Sequence, residues 1–166
     1  MKPIASIFIV AAGLFLAVTT LNAPAHAQQD PFAVSASYTP QSKTALSVTG
    51  TIRFSSHAIS IHGKSYPLKL SHMLTADELT NSKPLFSIDN ATSGYLFQTS
   101  IPVNAPMLNG NSTCNAECTW VLAVYTAPDQ LNLAFITGAP APSLAPGALM
   151  NSPNVTGTYW YSREKH

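Results

Sequence analysis

The sequence predicts an all-β domain: a single antiparallel β-barrel or a small β-sandwich of about eight strands, with one short helical turn. Three observations carry this. Short apolar runs recur along the chain, separated by clusters of Gly, Pro, Asn, Asp and Ser. Charged residues are only 9% of the chain while Pro occurs 13 times, which fits many turns rather than solvent-facing helices. The stretch from Cys114 to Gly138 has the form of a cysteine pair feeding an apolar hairpin. Trp120, Leu122 and Val124 share one face of its first strand at period two, and Leu131, Leu133 and Phe135 share one face of its second. Pro128 and Asp129 supply the turn, and the hairpin is expected at the middle of the core.

The N-terminus reads as a secretory signal peptide, residues 1–27. Lys2 gives the positive end, Ile4 to Val18 is an uncharged apolar run, and Ala25-His26-Ala27 is a small-x-small cleavage site. Cleavage between Ala27 and Gln28 leaves a single β-rich domain, residues 28–166, in the periplasm or secreted. The apolar run is too short to span a membrane, so no integral membrane segment is expected in the mature chain. Loss of Lys2 leaves seven basic and seven acidic side chains. Neutrality without a basic cluster argues against nucleic acid, whose phosphates are held by Lys and Arg, and against polybasic contact with lipid.

Gln28 to Thr44 reads as a polar leader in which Val34–Tyr38 forms a first edge strand. Ala45 to Leu70 carries the clearest β pattern. A two-residue turn at Gly63-Lys64 pairs Ile61 with Tyr66 and Ile59 with Leu68. A turn at Ser56-His57 pairs Phe54 with Ile59 and Ile52 with Ile61. The two turns together give one apolar face and a three-strand meander. Thr75-Ala-Asp-Glu78 is a capping box with Leu74 and Leu79 as its hydrophobic staple, and Pro84 is expected to stop that helix after a turn or two. Leu85–Ile88 and Tyr95–Thr99 read as a strand pair joined by Asp89–Gly94. Residues 102–112 form a loop. Residues 139–154, rich in Pro and Gly, form a second and longer loop, of a length that is uncommon unless functional or mobile. Thr156–Tyr161 reads as the last strand.

Several short motifs resemble those of an uncharacterised family of small exported alphaproteobacterial proteins. They are Gly50-Thr-Ile-Arg-Phe-Ser55, Gly63-Lys-Ser-Tyr-Pro-Leu68, Leu108-Asn-Gly-Asn-Ser-Thr-Cys114, Ala134-Phe-Ile-Thr-Gly138 and Gly157-Thr-Tyr-Trp-Tyr161. The resemblance spans roughly residues 45–161 and implies a periplasmic or secreted single domain, with no activity attached. In that family the second cysteine precedes the closing Gly-Thr-Tyr. Here Val155 and Thr156 stand there, and Cys118 is the second thiol.

Cys114 and Cys118 in an exported chain are expected to form a disulfide. A Cys-x3-Cys spacing also occurs in metal and redox sites, but those thiols usually open a helix, and here a strand follows. His57, His62, His72 and His166, with Met73, Met107 and Met150, offer imidazole and thioether donors of the kind copper accepts, with His72 and Met73 the candidate metal pair. The capping box and the helix dipole account for Glu78 and Asp77 without catalysis. No Gly-x-Ser-x-Gly elbow, phosphate-binding glycine loop or cofactor motif is present. Asn90, Asn111 and Asn154 open formal glycosylation sequons and read as turn residues.

The candidate surface for an unknown protein or small molecule is Trp120, Tyr125, Tyr159, Trp160 and Tyr161 with Asn109 and Asn111. For a protein partner the expected contact surface is the loops at 100–118 and 139–155, and deletion of 140–153 is expected to abolish binding while leaving the fold intact. The sequence therefore points to an exported, non-catalytic β-domain that binds a protein partner or small ligand, with no cofactor. The alternatives are a periplasmic copper-handling protein using His and Met, with or without the cysteines, and a hydrolase.

Overall fold

The computed structural model of the protein describes residues 35–165. The signal peptide expected at residues 1–27, and Val34 at the start of the expected first strand, lie outside them. Nine antiparallel strands form one sheet that curls into a nearly closed barrel, with two short helices. In chain order these are β1 (Ala36–Pro40), α1 (Lys43–Val48), β2 (Ile52–Phe54), β3 (Ala58–Ile61), β4 (Lys64–Pro67), β5 (Lys69–Met73), α2 (Ala76–Phe86), β6 (Ser93–Ile101), β7 (Cys118–Ala127), β8 (Gln130–Thr137) and β9 (Val155–Arg163). The sheet order is β4-β3-β2-β1-β9-β8-β7-β6-β5.

The two ends of that order are consecutive in the chain. β4 and β5 are one strand bent at Leu68, its first half paired with β3 and its second with β6. Leu68 N–H donates to His57 O (2.7 Å), and Thr99 Oγ1 donates to Pro67 O across the seam (2.8 Å). Closure in this way leaves little free edge.

The meander forms with the pairs Ile52–Ile61 and Phe54–Ile59 as expected. The next turn differs: His62 and Gly63, both at positive φ, make it, so Ile61 lies opposite Lys64 and Ile59 opposite Tyr66. Moving a two-residue turn back by one position shifts the pairing by two, which keeps the same face inward. β1 is not an edge strand, since it pairs with both β2 and β9. Ala45 to Val48 belongs to a helix rather than the β pattern. Ser42 caps it, accepting from Ala45 N–H (3.1 Å), and Gly50 at φ +62 ends it.

The capping box at Thr75 and Glu78 is present, but α2 runs through Pro84 to Phe86 and closes on Ser87 in the left-handed region. Pro84 is exposed, and Phe86, almost fully buried, holds the last turn on the barrel. Leu85–Ile88 is thus the helix end and its cap, not a strand.

β7 and β8 are buried on both sides. Val121, Ala123 and Tyr125 face the barrel interior with Leu131, Leu133 and Phe135. Trp120, Leu122 and Val124 face outward with Ala134 and Ile136, so the two apolar triads of the hairpin lie on opposite faces. α2 and the 139–154 segment cover that outer face through Leu74, Phe86, Leu144 and Leu149. The long Pro- and Gly-rich segment is therefore a packed layer. Asn81 Nδ2 donates to Leu144 O (3.0 Å) and fastens the layer to α2.

Candidate functional site

Aromatic rings fill the barrel: Tyr38, Phe54, Tyr66, Tyr95, Phe97, Tyr125, Phe135, Tyr159 and Tyr161 all belong to the inner core. A barrel of this strand number is just wide enough for side chains to fill. The rings contact one another edge-on or stacked, as in Phe54–Phe97 (5.8 Å), Tyr95–Phe97 (6.3 Å) and Phe135–Tyr159 (5.2 Å). Three of their hydroxyls, those of Tyr38, Tyr125 and Tyr161, have partners inside. Tyr38 and Tyr125 share a hydrogen bond (2.9 Å), as do Tyr161 and Thr49 (2.6 Å). Tyr66 is different: its buried hydroxyl has no hydrogen-bond partner among the described residues. Burial raises the pKa of Tyr38, Tyr66, Tyr125 and Tyr161 and pushes Tyr159 up to about 12. The Arg163 guanidinium partly offsets this for Tyr38 and Tyr125.

One barrel end is closed by α1 and residues 102–117. Ala105, Met107 and Cys114 join the inner core there, and Cys114–Cys118 forms a disulfide. Thr156 Oγ1 lies 3.8 Å from Cys118 Sγ. Asn109 and Asn111 are exposed, but both amides donate to Ser47 O (3.1 and 2.9 Å) and tie the 3-10 turn Leu108–Gly110 to the last turn of α1. Ser100 donates to Glu117 on the outside of the same end.

Of the expected aromatic surface, only Trp160 is on the surface. Tyr125, Tyr159 and Tyr161 are interior, and Trp120 lies under the outer layer with its indole N–H donating to Gly138 O (3.1 Å). Period-two alternation explains the split: Tyr159 and Tyr161 point inward, so Trp160 between them points out. His72 and Met73 are separated by the same rule, lying opposite Leu96 of the outer core and Tyr95 of the inner core respectively. His72 Nε2 meets Glu78 Oε1 at 3.2 Å, and Met73 is exposed. Hydrogen bonds from Thr75, first its backbone N–H, hold the Glu78 carboxyl below its usual range. Among the described residues no three His, Cys, Asp or Glu side chains come together as metal ligands. No described helix is long and apolar enough to cross a membrane.

The outer faces of β9, β1, β2, β3 and β4 form one continuous wall. Its outward positions are Trp160 and Ser162, then Ser37 and Thr39, then Arg53, Ser60 and Ser65, set in adjacent register. Trp160 is 40% exposed and Arg53 is exposed, without an ion-pair partner among the described residues. Sequence reasoning missed this wall, although Arg53 between Ile52 and Phe54 carries the required alternation. No protein family, curated protein or solved structure matches the chain.

Proposed function

We propose that the chain is exported and that its mature domain is a non-catalytic binding module that meets its partner on the outside of the barrel. The leader expected at residues 1–27, the cysteine pair and the motifs that resemble those of small exported bacterial proteins support the address. The observation that carries the binding reading is the contrast between the interior and the wall. The interior is filled by tyrosines and phenylalanines that contact one another, while the β9-to-β4 wall is uncovered by any described residue and carries the exposed Trp160 indole and the Arg53 guanidinium, which has no ion-pair partner among the described residues. A lumen-binding protein needs the opposite arrangement, an apolar cavity with a few polar groups aimed into it.

The loops at 100–118 and 139–155 serve the fold on this reading. Removing 140–153 would uncover Leu122, Ala134 and Ile136, so the informative variants are on the wall. The mature domain, purified gently from its own host, is cross-linked to its partner and compared with Trp160→Ala, Arg53→Gln and the interior variant Tyr66→Phe. Loss of the cross-linked species in the two wall variants, with retention in Tyr66→Phe, is the expected result. Native mass spectrometry showing a small molecule that leaves only on denaturation would overturn it in favour of a lumen site.

A further inference from the structure

We infer that the wall formed by β9, β1, β2, β3 and β4 is a binding face for a carboxylate-bearing polysaccharide, with Trp160 stacking on a sugar ring and Arg53 receiving a carboxylate. This rests on the wall being the binding surface and names the chemistry of its occupant.

Charge supplies the first argument. Residues 35–76, which build β1 to β5, contain Lys43, Arg53, Lys64 and Lys69 with three histidines, and no Asp or Glu. Of these, Arg53 is the cation at an outward position of the wall, opposite Ser37 and Ser60, and Lys69 projects outward on the adjoining β5, opposite Gln98. Two acids border the wall, each beside a cation: Glu164, which precedes Lys165 and whose N–H donates to Ser37 O (2.9 Å), and Asp129, whose carbonyl accepts from Arg163 N–H (2.7 Å). The face is thus complementary to an anion of modest charge density. Nucleic acid requires many more cations along its path, and an anionic lipid surface requires a Lys/Arg cluster or an apolar anchor.

The lining supplies the second argument. Around Trp160 and Arg53 the outward residues are hydroxyls and amides: Thr39, Gln41, Ser60, Ser65 and Ser162. Gln41 N–H donates to Trp160 O (2.7 Å), which places Gln41 beside the indole, and Gln130 Nε2 donates to Ser162 Oγ (3.3 Å). A protein interface has an apolar centre made of several large side chains. This wall has a single aromatic among small polar groups, the complement of a ring that is apolar on its flat faces and hydroxylated at its edge. The indole offers an apolar body to the ring face, and the guanidinium fork pairs with a carboxylate through two hydrogen bonds. Trp160 and Arg53 lie two strands apart, roughly 10 Å across the sheet, and four residues offset along it. One short stretch of extended chain spans them.

The test titrates the oxidised mature domain with size-fractionated polygalacturonate and with neutral dextran, followed by calorimetry. Polygalacturonate is expected to bind, with affinity falling as salt rises, and dextran to bind more weakly. Arg53→Gln is expected to lose about tenfold or more for polygalacturonate and to flatten the salt dependence. Trp160→Ala is expected to lose about tenfold, while Trp160→Phe, which keeps an aromatic face, retains most of the affinity. Equal binding by wild type and both loss variants, or no binding of polygalacturonate, overturns the proposal. So does adsorption to phosphatidylglycerol vesicles that Trp160→Ala leaves unchanged, because charge alone then suffices. If polygalacturonate fails but the wall variants still lose the cross-linked host partner, the polysaccharide inference falls and the wall reading stands. If they keep that partner, both fall.

Discussion

Gly94 on β6 lets the start of α2 sit on the barrel, and a double-mutant cycle measures how strongly. A Cβ built at Gly94 would lie 2.6 Å from Leu74 Cδ1, 3.1 Å from Leu74 Cγ and 2.9 Å from Leu79 Cδ1, so the hydrophobic staple occupies the space a side chain would take. Gly94 is not among the positive-φ residues, and Ala is therefore free of backbone strain there. Gly94→Ala gains about 0.4–1 kcal/mol from a stiffer unfolded chain and loses about 1–3 kcal/mol from overpacking. The net expectation is a loss of roughly 0.5–2 kcal/mol. Leu74→Ala alone, at a buried site, costs about 2–4 kcal/mol. In the double variant the new methyl enters the space that Leu74 leaves. The combined cost should then fall short of the sum by about 1 kcal/mol or more. Urea unfolding of the oxidised domain spanning residues 28–166, followed by far-ultraviolet circular dichroism with unchanged m-values, reads each cost. A stabilising Gly94→Ala, or costs additive within about 0.3 kcal/mol, would refute the placement of α2 against β6.

Tyr66→Phe removes a buried hydroxyl that has no partner among the described residues, so it should be neutral or stabilising in the same assay; a loss above about 1 kcal/mol would mean that the hydroxyl is satisfied. The disulfide closes a sequence separation of 4, so its reduction should cost about 2 kcal/mol at most and leave the barrel folded; global unfolding on reduction, seen by circular dichroism, would contradict this. Burial holds Tyr159 up at about 12 and raises Tyr38, Tyr125 and Tyr161, so the folded chain keeps protons that the unfolded chain releases above about pH 10. Stability should be fully present below that pH and fall as pH rises past it; a urea midpoint constant from pH 8 to 11.5 would refute the tyrosine-filled interior. Arg53→Gln touches no ion pair among the described residues and should change stability by less than about 0.5 kcal/mol.

The sequence made the inner face of the meander legible because a turn displaced by one residue moves the pairing by two and leaves the parity intact. Ile52, Phe54, Ile59 and Ile61 therefore end up inside although the turn sits at His62-Gly63. The cap of α2 was legible because Thr75 and Glu78 satisfy each other locally. Its far end was not. Pro84 reads as a terminator by its missing N–H, and it is overridden by the burial of Phe86 two residues later, which depends on strands distant in sequence. α1 was hidden for a similar reason. Six residues are too few for helical periodicity to emerge, and the helix holds because Ala45 and Thr49 enter the barrel end and Asn109 and Asn111 grip Ser47 from afar. The closing aromatic strand carried the site signal in its alternation: one of its faces had to look outward, and the pairing of β9 with β1 and β8 decides that Trp160 is on it.

Two-sided burial explains where the chain's few charges fall. β7 and β8 are buried on both faces, the outer one under α2 and residues 139–154, which leaves no solvent-facing position for a charge on those strands except at their ends, while β6 turns only the uncharged Gln98 and Ser100 to solvent. The wall opposite has no such cover among the described residues. It keeps hydroxyls where an exposed sheet would ordinarily carry mixed Lys and Glu for solubility and edge protection. Packing accounts for Tyr159 and Tyr161, which fill the interior, and not for an exposed indole and a guanidinium without an ion-pair partner among the described residues on the other side of the same sheet. The binding reading proposed above supplies the missing account: on it, Trp160 and Arg53 stand on a polar face of a fold whose apolar residues fill two cores because they contact something outside the fold.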